Sequence, residues 1–199
     1  MGHPYRTTTC NPATYGATTD PSSSTALSAH LGRKGGVLQL ERTGPFVPPI
    51  SLPGVGDVVV TAKFRQAMKD SGVLRGVRFS EVMKARIVRL EWHTWDLRTK
   101  EPRAYPKGGE PEEYILGRPH NEKLAAEMGP LYEAIVPSGG EAELYDRKQP
   151  WNYKVRVKRG TWSGRHLFRA ENWLFVDEAG RRWLETQGAG AWLQFEARQ

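Results

Sequence analysis

The sequence of 199 residues contains a single cysteine, Cys10, and this scarcity excludes two common means of stabilisation. One thiol forms no disulfide within the chain and cannot build a cysteine cage for structural zinc. Cys10 precedes Asn11 and Pro12 in a polar stretch, so we interpret it as an exposed thiol without a structural role. The five histidines are also far apart and lack metal-ligand spacing, so we expect neither a metal nor a cofactor.

Long apolar runs are also missing. Crossing a bilayer takes about 20 consecutive apolar residues, and the sequence has no such stretch. The first residues also lack the basic and apolar regions of a signal peptide. With 38% hydrophobic residues the chain can bury a core. We therefore expect a soluble, globular protein that stays in the cytoplasm.

The motifs of the common hydrolases, P-loop proteins and dinucleotide-binding folds are absent as well. The densest polar cluster is EWHTWD, with Glu91, His93 and Asp96. A strand would place Glu91 and His93 on one solvent-facing side, and Asp96 on the other side or in the next turn. We therefore expect a solvated strand face and predict that the protein is not an enzyme. Acid–base catalysis by these three residues remains the alternative.

One pattern is written twice. VVVTAKFRQAMKDSGVLRGVRF (Val58–Phe79) and LFVDEAGRRWLETQGAGAWLQF (Leu174–Phe195) align without a gap. In each copy an apolar triplet typical of a buried strand precedes a helix N-cap, Thr61 or Asp177, whose side-chain oxygen can accept a first-turn amide. A helical stretch follows, a glycine ends it, and a second strand begins. We interpret the copies as duplicated strand–helix–strand units.

The two predicted helices place their bulk differently. Phe64 aligns with Gly180, and Ala67 aligns with Trp183. A large residue in one copy therefore corresponds to a small one in the other. We expect both helices to pack into similar spaces with different partners.

Composition divides the chain into two parts. Residues 1–35 are rich in Thr, Ser, Gly and Pro without a helical or alternating period, so we expect loops or partial disorder there. Residues 36–199 are predicted to form a single α+β domain. In it, the repeats at 56–82 and 172–198 pack on a mixed or antiparallel sheet.

Three further elements are indicated by their patterns. GVLQLER predicts a short strand, and MKARIVRLEWHTWDL alternates as a half-exposed strand does. In NEKLAAEM, Leu124, Ala125 and Met128 share a helical face that ends before Pro130.

The net charge of +7 is unevenly distributed. Residues 147–169 contain eight Lys or Arg residues and no acid. Within this stretch, Lys154, Arg156 and Lys158 alternate with apolar residues, which predicts a strand with one apolar face and one basic face. Such a face would attract nucleic acid or an acidic protein surface, so a nucleic-acid-binding module is the alternative function.

The stretch TWSGRHLFRAENWLFVDEAGRRWLETQGAGAWLQF, from Thr161 to Phe195, resembles the closing segment of a bacterial immunity-protein superfamily found beside polymorphic toxins. Those domains have W-x-G-x-D-L-F-R, an apolar strand, a short helix, a glycine and a strand ending in Phe. The residues that match the first motif are Trp162, Gly164, Leu167, Phe168 and Arg169. His166 stands where the superfamily often has Asp.

The first copy is similar to an internal segment of the double-CXXCG motif family, a branch that includes swarming-inhibition immunity proteins. That branch is named for two Cys-x-x-Cys-Gly motifs suited to holding zinc. Here CNPATYGAT, from Cys10, and YPKGG, from Tyr105, stand in the corresponding places without the cysteines. The resemblance therefore implies a divergent member that lacks the metal.

The resemblance implies a stoichiometric inhibitor that binds a cognate toxin in the cytoplasm and blocks its active site or its target-facing surface. A basic face would suit an acidic toxin surface. Trp, Tyr and Arg dominate interface hot spots, and this guides the choice of contact residues. The expected partner-binding residues are Trp92, Trp95, Trp151, Lys154, Arg156, Lys158 and Trp162.

Overall fold

The computed structural model describes residues 5–8, 27–29, 31–42, 47–54, 56–88, 117–145 and 154–196. Its strands are β1 (Tyr5–Thr8), β2 (Leu27–Ser28), β3 (Arg33–Lys34), β4 (Val37–Arg42), β5 (Ile50–Ser51), β6 (Val59–Thr61), β7 (Arg78–Glu81), β8 (Met83–Arg86), β9 (Leu131–Ile135), β10 (Ala142–Tyr145), β11 (Lys154–Val157), β12 (Leu167–Ala170), β13 (Trp173–Val176) and β14 (Gln194–Glu196). Its helices are α1 (Ala62–Asp70), α2 (Glu122–Glu127), α3 (Glu178–Thr186) and a short 3-10 helix (Ala189–Ala191). The α+β class predicted from the sequence is confirmed. None of the helices in these ranges has the length and apolar character needed to cross a membrane.

Helix α1 begins and ends where its sequence predicts. The Thr61 hydroxyl accepts a hydrogen bond from the N–H of Phe64 at 3.3 Å, which satisfies one of the free first-turn donors. The helix ends at Asp70, and Gly72 follows with φ of 62°, a conformation that favours glycine. Strand β6, α1 and β7 form the first unit.

Helix α3 follows the same rules. The Asp177 carboxylate accepts a hydrogen bond from the N–H of Gly180 at 2.8 Å. The helix ends at Thr186, and Gly188 adopts φ of 78°. Strand β13 contains the predicted apolar triplet and begins one residue before it, at Trp173, and β13, α3 and β14 form the second unit.

Each unit lies in a four-stranded sheet with the same arrangement, and we count that sheet and the loops that lead into it as part of the unit. Sheet 1 has the order β5-β6-β9-β7 and sheet 2 the order β12-β13-β1-β14, with antiparallel neighbours throughout. In each sheet the helix connects two parallel strands that are separated by one antiparallel strand. That inserted strand is β9 in sheet 1 and β1 in sheet 2. Duplication as the origin of this likeness stays a prediction.

The structure differs from the expectation of loops in residues 1–35 by placing β1, β2 and β3 there. Strand β1 lies between β13 and β14, with Arg6 opposite both Phe175 and Glu196. Flanking strands impose its extended conformation, and no alternation in its own sequence indicates this. Residues 9–26 lie outside the described ranges.

Helix α2 agrees with the predicted apolar face, and a strand follows it that the sequence analysis missed. The Asn121 side chain accepts the N–H of Leu124 at 2.9 Å and so caps the helix. At the other end, the Lys84 ammonium donates to the carbonyls of Ala125 and Gly129. Strand β9 begins directly after Pro130, where the prediction ended.

The largest apolar core is shared by the two units. Sheet 1 and α1 contribute Val58, Val60, Phe64 and Met68, whereas sheet 2 and α3 contribute Leu167, Leu174, Val176 and Leu184. The two helices also touch directly through Phe64 and Trp183. Because one core holds both units, the position of each unit depends on the other.

The opposite face of sheet 1 packs against a third sheet, with the order β2-β4-β3 and with β8 parallel to β4, and that of sheet 2 packs against the β10–β11 hairpin. On sheet 1, Val59 and Leu131 pack with Leu27, Leu38 and Leu40 from β2 and β4. On sheet 2, residues from both hairpin strands and both neighbouring sheet strands form a third core: Ala142, Val155, Val157, Phe168 and Phe175. Binding groups are therefore to be sought on turns, hairpin surfaces and strand edges.

Candidate functional site

The predicted basic strand is half of the hairpin formed by β10 and β11. Glu143 lies opposite Arg156, Leu144 opposite Val155, and the main chain of Lys154 opposite Tyr145. Val155 is fully buried, and Arg156 and Lys158 are exposed. The alternation of apolar and charged positions in β11 therefore agrees with the prediction.

The exposed face of this hairpin is not wholly basic, and this corrects the expectation. The Arg156 Nε lies 2.5 Å from the Glu143 Oε1, and the Lys158 Nζ lies 2.8 Å from the Glu141 Oε2. The hydrogen bond that the Lys158 ammonium donates to Glu141 raises the pKa of Lys158. Pairing with β10 sets an acid beside each of these cations, and the sequence of β11 alone cannot reveal that.

Trp162 lies half-buried and serves local structure. Its ring packs against the third core, and its indole N–H donates to the Arg165 carbonyl at 3.1 Å. The hydrogen bond closes a loop in which Gly164 adopts φ of 79°. Trp162 therefore fixes the position of Arg165, whatever its contact with a partner.

Several predicted residues lie outside the described ranges. They are the expected contact residues Trp92, Trp95 and Trp151, the alternative acid–base group Glu91, His93 and Asp96, and the two stretches beginning at Cys10 and Tyr105.

Of the residues that carry the family resemblance, Leu167 and Arg169 lie where the two units meet, and Phe168 lies in the third core. Leu167 belongs to the shared core, and Phe168 stacks on Phe175 with ring centroids 5.6 Å apart. The Arg169 guanidinium lies against Gly56, in the turn before β6. A Cβ atom at Gly56 would meet the end of that guanidinium, which would have to shift, and the φ of 75° at this position favours glycine.

The main chain strengthens the same junction. The Arg169 N–H donates to the Pro137 carbonyl at 2.8 Å, and the Gly139 N–H donates to the Arg169 carbonyl at 2.9 Å. The segment that follows β9 of sheet 1 thus continues along β12 of sheet 2. At Gly139 a Cβ would lie only 2.5 Å from that of Phe168, so this segment runs close over the aromatic ring.

Four exposed cations lie in or next to the turn between α1 and β7, and we call them the turn cluster: Lys69, Arg75, Arg78 and Arg165. Arg75 donates from Nε to the Gly72 carbonyl at 2.9 Å. Arg165 crosses from the second unit, with Nη1 2.6 Å from where a Cβ on Gly76 would lie.

The turn cluster was missed by the sequence analysis. The stretch SGVLRGVRFS, residues 71–80, has two arginines and no acid, and this signal was available. The approach of Arg165 was not, because it depends on how the second unit packs on the first.

A buried carboxylate links the starts of β12 and α3. Asp177 caps α3 through one oxygen, and its other oxygen lies 2.7 Å from the His166 Nδ1. The Asp177 N–H also donates to the His166 carbonyl at 3.1 Å. The sequence predicted the cap but not the histidine, which holds the helix start to the sheet edge.

Arg33 fastens the hairpin of β3 and β4 to sheet 1. Its guanidinium binds both oxygens of the buried Glu133 at 2.9 and 2.7 Å, and Asp57 at 2.9 Å. The hydrogen bond with Glu133 is the largest cause of a raised pKa at Arg33. This bidentate pair is structural, and its charges are matched within the described residues.

Within the described ranges, no group of three or more His, Cys, Asp or Glu side chains is arranged to hold a metal ion. Comparison with models of known protein families gives no match, and comparison with curated proteins gives none.

Proposed function

We propose that this chain is an immunity-like protein that binds a cognate bacterial toxin in the cytoplasm by stoichiometric contact. The proposal starts from the resemblance of Thr161–Phe195 to immunity proteins. It is supported by one observation above others: the matching residues Leu167 and Arg169 lie at the junction of the two units. The motif is then a packing motif that holds a two-unit scaffold together, as expected of a family defined by binding.

The scaffold suits stoichiometric binding because its exposed turns are held by packed elements. Both units share one core, and Arg169 ties the second unit to the turn at Gly56. A surface held in place before binding loses less conformational entropy when a partner docks. The affinity of such an inhibitor depends more on this smaller entropy loss than on the contact area.

We also propose that the two units arose by duplication. The equal strand order of the two sheets supports this, with one inserted antiparallel strand in each. The two units also have an equivalent main-chain hydrogen bond at the helix N-cap. The Thr61 N–H donates to the carbonyl of Pro49, just before β5, and the Asp177 N–H donates to the carbonyl of His166, just before β12, both at 3.1 Å. The inserted strand, in contrast, comes from different parts of the chain in the two sheets.

Nucleic-acid binding by residues 147–169 has weaker support. Arg156 and Lys158 each face a glutamate, which reduces the positive potential that would follow a phosphate backbone. The half-buried Trp162 packs its ring against the third core. We keep nucleic acid as an outcome of the experiments below.

Co-expression with the toxin encoded beside the gene tests the proposal. We expect the chain to restore growth of cells that produce this toxin, and the two proteins to elute together as a one-to-one complex. A toxin from an unrelated gene pair is the control, and it should remain lethal. Unrelieved toxicity of the adjacent toxin, at equal expression and with folded protein, would contradict the proposed function.

A further inference from the structure

We propose that the turn cluster is the docking surface, and that the partner presents aspartate and glutamate side chains to it. This inference rests on the proposed function for the partner's identity as a toxin. The chemistry of the surface is argued from the described residues alone and is tested separately.

Pairing distinguishes the turn cluster from the cations of the β10–β11 hairpin and of α3. Arg156 and Lys158 on the β10–β11 hairpin, and Arg181 and Arg182 on α3, all have carboxylate partners. Lys69, Arg75, Arg78 and Arg165 have none among the described residues, although all are exposed. Gln66 occupies the nearby Asp70 carboxylate with a hydrogen bond at 2.8 Å. Asp70 keeps its negative charge in this hydrogen bond, so the cluster carries a net positive charge from four cations against the neighbouring Asp70.

The cluster is assembled by both units. Residues 71–80 of the first unit supply Arg75 and Arg78, and the Gly164 loop of the second unit supplies Arg165. The Trp162 indole holds the Arg165 carbonyl, and Gly76 leaves room for the guanidinium. The loop is thus built in a way that brings a distant arginine next to the turn.

The chemistry of the cluster fits carboxylates. Arginine presents a planar fork of donors that matches a carboxylate in bidentate fashion, and three of the four cations are arginines. Arg75 commits only its Nε, to the Gly72 carbonyl. The terminal N–H groups of Arg75 therefore take no part in that hydrogen bond. A partner with several acids would both be steered to this surface and be bound by it.

A protein partner fits better than nucleic acid. Single-stranded nucleic acid is held by aromatic rings on which bases stack, alongside basic grooves. Two aromatic rings lie beside the cluster among the described residues, Phe79 and Trp162, and both are half-buried. Phe79 has the Lys69 Nζ 5.9 Å from its centre, and Trp162 packs against the third core, so neither ring is fully exposed for stacking.

Charge reversal of the cluster tests the inference. The variant carries Arg75→Glu and Arg165→Glu. The matched control carries Lys34→Glu and Arg159→Glu, two exposed cations at hairpin ends with the same change in net charge. The probes are a fluorescein-labelled peptide of alternating Asp and Glu and a labelled oligothymidine of equal charge, measured by fluorescence anisotropy. Circular dichroism and the unfolding midpoint check that both variants fold.

The wild-type chain should bind the acidic peptide, the cluster variant should bind it at least about tenfold more weakly, and the control should lose less than about threefold. The inference is overturned by equal peptide binding of variant and wild type, by equal loss in the control, or by no binding to the wild type. Tighter binding of the oligothymidine, lost in the cluster variant, overturns the choice of a protein partner.

The adjacent toxin separates this inference from the proposed function. If the toxin binds wild type and cluster variant equally, the docking surface is wrong while the function stands. If the acidic peptide depends on the cluster but the toxin binds neither protein, the proposed function is wrong while the surface chemistry stands.

Discussion

The rings of Phe64 and Trp183 meet edge to face, with centroids 5.8 Å apart and planes inclined by 62°. Each belongs to a different unit, and each aligns with a small residue of the other copy, Gly180 for Phe64 and Ala67 for Trp183. The two large side chains therefore occupy non-equivalent positions of the two units and contact each other across the shared core. Aromatic pairs of this geometry add about 0.5–1.5 kcal/mol beyond the area they bury.

Loss of this contact should weaken the joint core. Phe64→Ala is expected to lower the free energy of unfolding by about 3–5 kcal/mol, because it leaves a cavity among buried residues. Trp183→Ala should cost less, since Trp183 is only partly buried. Urea unfolding of both single variants and the double variant gives their coupling, which we expect at about 0.5–1.5 kcal/mol. Strict additivity would show that the rings do not interact.

Gly180 should tolerate no side chain. A Cβ there would lie 2.5 Å from both the His166 carbonyl oxygen and the Val176 Cγ2. Gly180→Ala should therefore lower the unfolding free energy by about 1–3 kcal/mol despite the better helix propensity of alanine. Gly190→Ala is the matched control, because its nearest neighbour would be the Glu185 Cγ at 3.6 Å. Thermal unfolding that ranks the two variants equally would argue against this packing.

The Asp177 carboxylate first caps α3 and second binds His166, and two substitutions separate these roles. Asp177→Asn keeps a capping oxygen for Gly180 but removes the charge opposite His166, whereas Asp177→Ala removes both. We expect losses of about 0.5 and about 2 kcal/mol respectively, with Thr61→Ala near 1 kcal/mol as the cap-only reference. The first figure is small because the His166 side chain is 42% exposed. Chemical unfolding in which Asp177→Ala costs no more than Thr61→Ala would contradict the second role.

The inserted position of β1 makes its main chain sensitive to proline. Arg6→Pro removes a donor from a strand that has neighbours on both sides, and should cost about 3 kcal/mol or more beyond Arg6→Ala, which keeps the donor. Hydrogen exchange should show lost protection in β13 and β14 for the proline variant only. Unchanged protection would mean that β1 does not complete sheet 2.

Local signals in the sequence predicted the elements well. Thr61 and Asp177 mark helix starts because capping involves residues only three positions apart. Glycines just beyond both helices mark their ends for the same reason. The bounds of β13 follow from a short apolar run between turn residues.

Contacts between residues far apart in the sequence could not be predicted from such local signals. Glu141 and Glu143 neutralise β11 only through the register of the hairpin, and Arg165 reaches the turn at Gly76 only through packing of the units. The sequence therefore placed the basic surface on the hairpin, whereas in the structure the hairpin cations Arg156 and Lys158 are paired and the four cations of the turn cluster are not. The contribution of Trp92, Trp95 and Trp151 stays a prediction.

The most direct test of the central claim is a calorimetric titration of the purified chain with the purified toxin encoded beside it. We predict saturation at one toxin per chain with a dissociation constant of about 10 nM or lower, as expected for a preorganised interface of ordinary size. Absence of heat and of complex formation at about 1,000-fold higher concentrations would contradict it.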